Sequence, residues 1–387
     1  MRVALFTNGI WPYVIGGMQK HSYYLVKYFA MRGIEVDLYH MNKSELDIDK
    51  LDIFTESEKT YIRSFVFEFP RHGRWPWRYL SESYNYSKTL FHHFIRQDRP
   101  VDFIYTKSYT AWYALKEKRN GYSLPPIAIR LHGYEIFQPS KGLLGWYRKR
   151  LYMPLVHYLN KNADYIYSYG KGISDLIKNN IRQVEDKIIE VPTGIEPDWL
   201  VLEPGPVNTP LRFTFVGRYD IRKGVDELNK ALSQLINEGQ VQFEFNFIGP
   251  IPAKKQVRNK MIRYWGLVKD KVKLQEVLRN TDVFVLPSHS EGMPNVVLEA
   301  MASGAAVIAT QVGAVNVMVD ERNGWLIPPL DAKTLYKAMS SVLSSSPGEI
   351  AKRRIQSVER VKNEFLWEKI IDQEINQIKL RLKNLPK

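Results

Sequence analysis

Short apolar runs of strand length alternate along the chain with longer stretches whose apolar positions recur at helical spacing. Val3 to Thr7 is followed by Met18 to Met31, in which Leu25, Tyr28 and Phe29 share a helical face, and then by Val36 to His40. Phe103 to Thr106, Ile127 to Leu131, Tyr165 to Tyr169 and Ile188 to Val191 continue the series. Such alternation predicts an α/β fold whose parallel sheet is covered on both faces. Between Glu196 and Pro210 the pattern lapses, and Pro197, Pro204, Gly205, Pro206, Asn208 and Pro210 predict a linker over 197–210. The alternation then resumes with Leu211 to Val216, a helix from Gly224 to Ile236, Phe243 to Ile248 and Val283 to Leu286. A helix from Pro294 to Ala302, Ala306 to Ala309 and Trp325 to Ile327 complete it. Two doubly wound domains follow, 1–196 and 211–364. The tail from about Gly348 to Lys387 reads as helical, with Phe365, Trp367, Ile370, Ile371, Ile375 and Ile378 forming a face that must be buried on something.

Composition narrows the class. The chain has 387 residues and a net charge of +14, with 25% charged and 44% hydrophobic residues, which is a globular mixture long enough for about two cores. The absence of cysteine removes disulfides, thiolate metal sites and a thiol nucleophile. The apolar run after Met1 is too short for a signal-peptide core, and no stretch is long enough to span a bilayer. A cytoplasmic protein is expected, either free or peripheral at the inner face of the membrane.

In an open parallel sheet, ligands bind beyond the carboxyl ends of the strands. The first such loop ends in Gly16-Gly17 before a helix, where backbone N–H groups can approach an anion. It lacks G-x-G-x-x-G, which disfavours a nicotinamide or flavin site; a plain turn is the other reading. Gly217-Arg218 ends the first strand of the second domain, and Lys223-Gly224 opens the next helix. Two cations there can neutralise a diphosphate, although the adjacent Arg222 also suits a solvated basic loop. The most informative segment runs from Pro287 to Gly304. Glu291 lies on a loop and Glu299 inside the following helix, among apolar Val297, Leu298, Ala300 and Met301. A carboxylate in such surroundings needs a partner. The amides of Met293, Asn295 and Val296 are donors for a phosphate, and the carboxylates are acceptors for sugar hydroxyls.

These residues carry a resemblance that extends over essentially the whole chain. It resembles the retaining glycosyltransferases of the GT-B fold, of the family 4 type, in Gly16-Gly17, in His132-Gly133 and in Pro192-Thr193-Gly194-Ile195. Gly217-Arg218, Lys223-Gly224, Asn323-Gly324 and Pro328 also match, and the most specific feature is the pair Glu291 and Glu299 separated by seven residues. The resemblance implies two Rossmann-like domains facing a cleft, with a C-terminal helix, 365–387, crossing back onto the first. It implies a nucleotide-diphosphosugar donor, a glycan or lipid-linked acceptor and no metal or other cofactor. Arg218 and Lys223 would neutralise the leaving diphosphate, Glu291 and His132 would face the donor sugar, and Glu299 would hold the ribose. Gly16, Gly17, Gly292, Met293, Pro294, Asn295 and Val296 would complete the donor site. Thr193, Gly249-Pro250, Ala314 and Val317 depart from the family pattern, which weakens transfer of donor identity.

No Asp or Glu stands out as a nucleophile, so the family's same-face attack, assisted by the leaving diphosphate, is the implied route. Asp47-x-Asp49 matches a metal-binding pair by chance spacing. Basic and aromatic residues crowd two regions: Arg63, Arg71, His72, Arg74, Trp75, Trp77 and Arg78, and Trp146, Tyr147, Arg148, Lys149 and Arg150. They suit an anionic membrane surface or an ordinary solvated face; nucleic acid is not expected. Beside the transferase stands a second class, a non-catalytic nucleotide-sugar or polyanion-binding protein of the same fold.

Overall fold

A computed structural model describes residues 1–41, 53–70, 77–139, 142–239 and 242–384. Asp47 and Asp49, and Arg71, His72, Arg74 and Trp75 of the first basic cluster, lie outside the described residues.

Among the described residues thirteen strands fall into two sheets. The first contains β1 (Arg2–Phe6), β2 (Glu35–Met41), β3 (Ile62–Phe67), β4 (Phe103–Lys107), β5 (Ile127–Arg130), β6 (Tyr165–Ser168) and β7 (Ile188–Glu190), in the order β3-β2-β1-β4-β5-β6-β7. The second contains β8 (Leu211–Val216), β9 (Phe243–Ile248), β10 (Ile262–Gly266), β11 (Val283–Leu286), β12 (Ala306–Thr310) and β13 (Gly324–Ile327), in the order β10-β9-β8-β11-β12-β13. Among the described residues neighbouring strands of each sheet pair in parallel. Each order reverses once, between β1 and β4 and between β8 and β11, and a ligand crevice opens at such a reversal.

The central strands are apolar because helices cover both of their faces. Val3, Leu5, Phe103 and Tyr105 pack to one side of the first sheet, and Ala4, Phe6 and Ile104 to the other. In the second sheet Phe213, Phe215, Phe243, Phe245 and Phe247 build one core with Val225, Leu228 and Leu232 of the helix Val225–Glu238.

Three local expectations are corrected. The helix expected from Gly224 begins at Val225, because Gly224 is left-handed at φ +66°. Pro294 precedes its helix as the N-cap of Asn295–Ala302 instead of occupying the first helical position. The helical tail is not continuous: it runs over Pro347–Arg360, passes through a π-helical turn at Val361–Phe365, and restarts at Trp367–Lys383.

The interruption has a cause. Leu366 is extended and bridges Ile195 in parallel, with Ile195 N–H donating to the Phe365 carbonyl at 2.8 Å and Trp367 N–H to the Ile195 carbonyl at 3.1 Å. The two stretches that pass between the sheets therefore lie side by side. A Cβ on Gly194 would sit 2.7 Å from the Trp367 ring, so glycine makes the room for that indole. Trp367, Ile370, Ile371, Ile375 and Ile378 then join the first sheet's core, with Trp367 stacked on Tyr28 and tilted against Tyr24 of the helix Gly17–Met31.

Candidate functional site

The β8–β11 reversal gathers the second domain's candidate residues. Beyond β8, Asp220 accepts from Arg222 N–H at 3.0 Å and caps a single 3-10 turn, Ile221–Lys223. Although partial burial opposes it, the Arg222 amide and the Arg222 and Arg218 charges hold the Asp220 carboxyl below its ordinary value. The turn ends at Gly224, where a Cβ would lie 1.9 Å from the Pro287 carbonyl oxygen. Only glycine allows that approach, which seats the turn against the loop after β11. His289 N–H donates to the Arg222 carbonyl at 2.7 Å and fastens the two together.

Lys223 consequently meets Glu291. Its Nζ donates to Glu291 Oε1 at 2.6 Å, and the same oxygen accepts from Ser288 Oγ at 2.7 Å. Glu291 is thus occupied by a cation and a hydroxyl and does not cap the next helix. Arg218 is apart from this pair, with a side chain 68% exposed and 3.6 Å from Asp220. The helix Asn295–Ala302 begins close to Gly17 of the first domain, where a Gly17 Cβ would stand 4.0 Å from Asn295 Nδ2, and the first N–H groups of such a helix have no partner four residues back.

Glu299 is buried and does have a partner. Lys20, one turn into the helix Gly17–Met31, donates to Glu299 Oε1 at 2.8 Å, while its ammonium also lies 5.6 Å from the Trp199 ring centroid. No pattern along the chain signals this pairing, since Lys20 and Glu299 are on opposite domains. Gln138 was equally hidden: its amide donates to the Glu291 carbonyl at 2.6 Å and accepts from Glu291 N–H at 3.1 Å. Arg222 pairs with Glu135 across the same seam. Backbone meets backbone there, because a Cβ on Gly292 would fall 2.5 Å from the His132 carbonyl oxygen and one on Gly172 would fall 2.2 Å from the Gly313 carbonyl oxygen.

His132 follows β5, and its Nδ1 lies 2.7 Å from the Tyr169 hydroxyl. Burial, reinforced by the Arg130 charge, pushes its pKa well below the ordinary value, so the ring is neutral at neutral pH. Behind it lies a polar cluster with almost no exposure: Lys107 ending β4, Arg130 ending β5, His21 and Glu374. Charged residues closing two apolar strands were its visible sign in the sequence; Glu374, from the last helix, had none.

Two parallel-sheet domains that meet at their strand carboxyl ends, tied by a crossing C-terminal helix, define the GT-B class of fold. A sucrose-phosphate synthase from Thermosynechococcus elongatus superposes with a TM-score of 0.77 at 19% identity, covering 99% of both chains. The lipopolysaccharide outer core galactosyltransferase WaaB gives 0.73 at 16% identity, covering 98% of this chain and 100% of that one. The sequence profile described as Glycosyltransferase Family 4 matches residues 15–199, and that described as Glycosyl transferases group 1 matches residues 210–345. The chain belongs to this family of glycosyltransferases. An uncharacterized glycosyltransferase of Methanocaldococcus jannaschii is 24% identical over 93% of each chain. A teichuronic acid biosynthesis glycosyltransferase of Bacillus subtilis is 36% identical over 126 residues, which are 33% of this chain and 31% of that protein.

Proposed function

We propose that the protein transfers a sugar, with retention, from a nucleotide-diphosphosugar to a glycan or lipid-linked acceptor in the assembly of a cell-surface polysaccharide or glycolipid. The observation that carries the reading is the Lys223–Glu291 pair, held at a strand-order reversal beside a helix N-terminus. Lys223 and Arg218 supply positive charge where a departing diphosphate gains negative charge, and stabilising that charge is the main source of rate acceleration in such a reaction. They supply it without a metal. The helix N-terminus adds donors for the phosphates. Glu291 has its Oε1 committed to Lys223 and Ser288, which suits a group that orients sugar hydroxyls better than one that attacks carbon. Retention then follows the same-face route, in which the acceptor hydroxyl passes its proton to the leaving diphosphate.

Solved neighbours of like fold carry UDP, or UDP-2-fluoro glucose, which supports a nucleotide-sugar donor here. Relatives named for teichuronic acid and amylovoran biosynthesis support a polysaccharide product. The test is titration with a panel of nucleotide diphosphosugars, following heat stability and donor hydrolysis together. One donor is expected to raise the melting temperature and to be hydrolysed slowly. Indifference to every donor, with tight binding to polyanions, would favour the non-catalytic class.

Membrane contact at the first domain is part of the proposal. Trp146 and Tyr147 on the helix Gly142–Asn162 are exposed, Arg150 lies over Trp146, and Trp77 and Tyr79 are also exposed. Among the described residues no helix is long and apolar enough to cross a membrane. Binding to vesicles rich in anionic lipid is expected at low salt and should be lost at about 0.5 M salt, where screening shortens to a few ångströms. Co-sedimentation that persists unchanged at high salt would rule out a charge-driven contact.

A further inference from the structure

Beneath the carboxyl ends of β4, β5 and β6, the polar groups are so few and so enclosed that their protons can be assigned by counting. Arginine only donates, and Arg130 Nη1 lies 2.9 Å from His21 Nε2, so that nitrogen accepts. His21 therefore carries its proton on Nδ1 and donates it in a hydrogen bond to Lys107 Nζ, 2.9 Å away, which requires Lys107 to be a neutral amine. Burial and the Arg130 charge push Lys107 in that direction, well below its ordinary value. The remaining cation, Arg130, faces Glu374 at 3.2 Å, and the cluster is balanced.

The same counting settles the next ring. Burial raises the Tyr169 phenol to about 12, so it keeps its proton. His132 Nδ1 lies 2.7 Å from that hydroxyl, and His132 Nε2 is buried with no partner among the described residues. Were Nδ1–H the donor, the phenol proton and Nε2 would both go unpaired. With the phenol donating, only Nε2–H is left without a partner, and that arrangement forfeits least. A buried donor kept unpaired points to an oxygen that arrives with a ligand. The His132 carbonyl already touches Gly292 at the seam between the domains.

We propose that Tyr169 is a positioning residue that fixes His132 as its Nε2–H tautomer, making the ring a neutral hydrogen-bond donor to an oxygen of the bound nucleotide sugar. The tautomer of a histidine is set by what its other nitrogen binds, and here a phenol, neither a carboxylate nor a backbone carbonyl, takes that role. A phenol leaves the ring uncharged, whereas a carboxylate would draw a second proton onto it. The proposal rests on the transferase reading for its ligand, but the tautomer itself does not.

Nitrogen-15 spectra of the histidine side chains in the full-length protein read the tautomer directly, with His132 assigned by comparison with the His132→Gln variant. In the unsubstituted protein, a protonated Nε2 and a bare Nδ1 are expected at neutral pH. Tyr169→Phe keeps the ring and removes the hydroxyl; the His132 nitrogens should move toward a mixture of tautomers. Its kcat should fall about 10- to 100-fold with the donor KM changed less than about threefold. In the His132→Gln background, Tyr169→Phe should cost nothing further, because the group it acts through is gone. An Nδ1–H ring in the unsubstituted protein, or unaltered His132 nitrogens in Tyr169→Phe, would overturn the proposal. Full turnover by His132→Gln would overturn the role of His132 in transfer and the catalytic half of the proposal, while the nitrogen shifts judge the positioning half separately.

Discussion

Lys223→Ala should lower kcat/KM for transfer by about 10²- to 10³-fold while leaving the protein folded. The size of the loss follows from placement. Lys223 is held by a turn that Gly224 presses against the loop after β11, and its ammonium reaches Glu291 at 2.6 Å. A cation already fixed in place stabilises developing charge without reorganising. Its partner is also partly exposed, with side chains 24% and 13% accessible, so losing the pair costs folding on the order of 1 kcal/mol or less. Arg218 should matter less for positioning, because its side chain extends into solvent and needs the ligand to order it. Steady-state transfer and urea unfolding of the same variant separate the two effects. Turnover within about threefold of the unsubstituted enzyme would remove Lys223 from the site.

The elements that the sequence made legible are those whose burial is two-sided. β8, β9 and β11 were expected residue for residue, because helices cover both of their faces and force apolar runs. Two edge strands, β3 and β10, went unread. In β10, Ile262 and Tyr264 pack on the core while Arg263 is exposed, and so short an alternation does not stand out. The break at Leu366 was invisible for another reason: no Gly or Pro marks it, and it exists only because Leu366 pairs with Ile195. Site residues divide in the same way. Lys223, Glu291 and Glu299 lie in local motifs, whereas Lys20, Gln138 and Tyr169 acquire meaning from neighbours far away in sequence.

The Arg130–Glu374 pair should produce the largest change in stability. Glu374→Ala is expected to destabilise the fold by about 3–5 kcal/mol, the usual result of leaving one member of a buried ion pair without its partner. Both side chains are at most 2% accessible. The remaining contacts cannot compensate: His21 accepts from Arg130 but carries no negative charge, and Tyr105, Tyr167 and Tyr169, whose ring centroids lie within 5.8 Å of the guanidinium, are neutral as well. Replacing both partners by apolar groups of similar volume, Arg130→Met with Glu374→Leu, should recover most of the loss, because the desolvation of two charges is then avoided. Urea unfolding of the single and double variants decides between these expectations, and a double variant as unstable as Glu374→Ala would mean that packing of the last helix, not charge, sets the cost. The pair also bears on chemistry. Arg130 fixes the His21 tautomer and lies beside the Tyr169 ring, so the double variant should regain stability without regaining full turnover. That separation is expected of an ion pair kept where an apolar pair would fold as well.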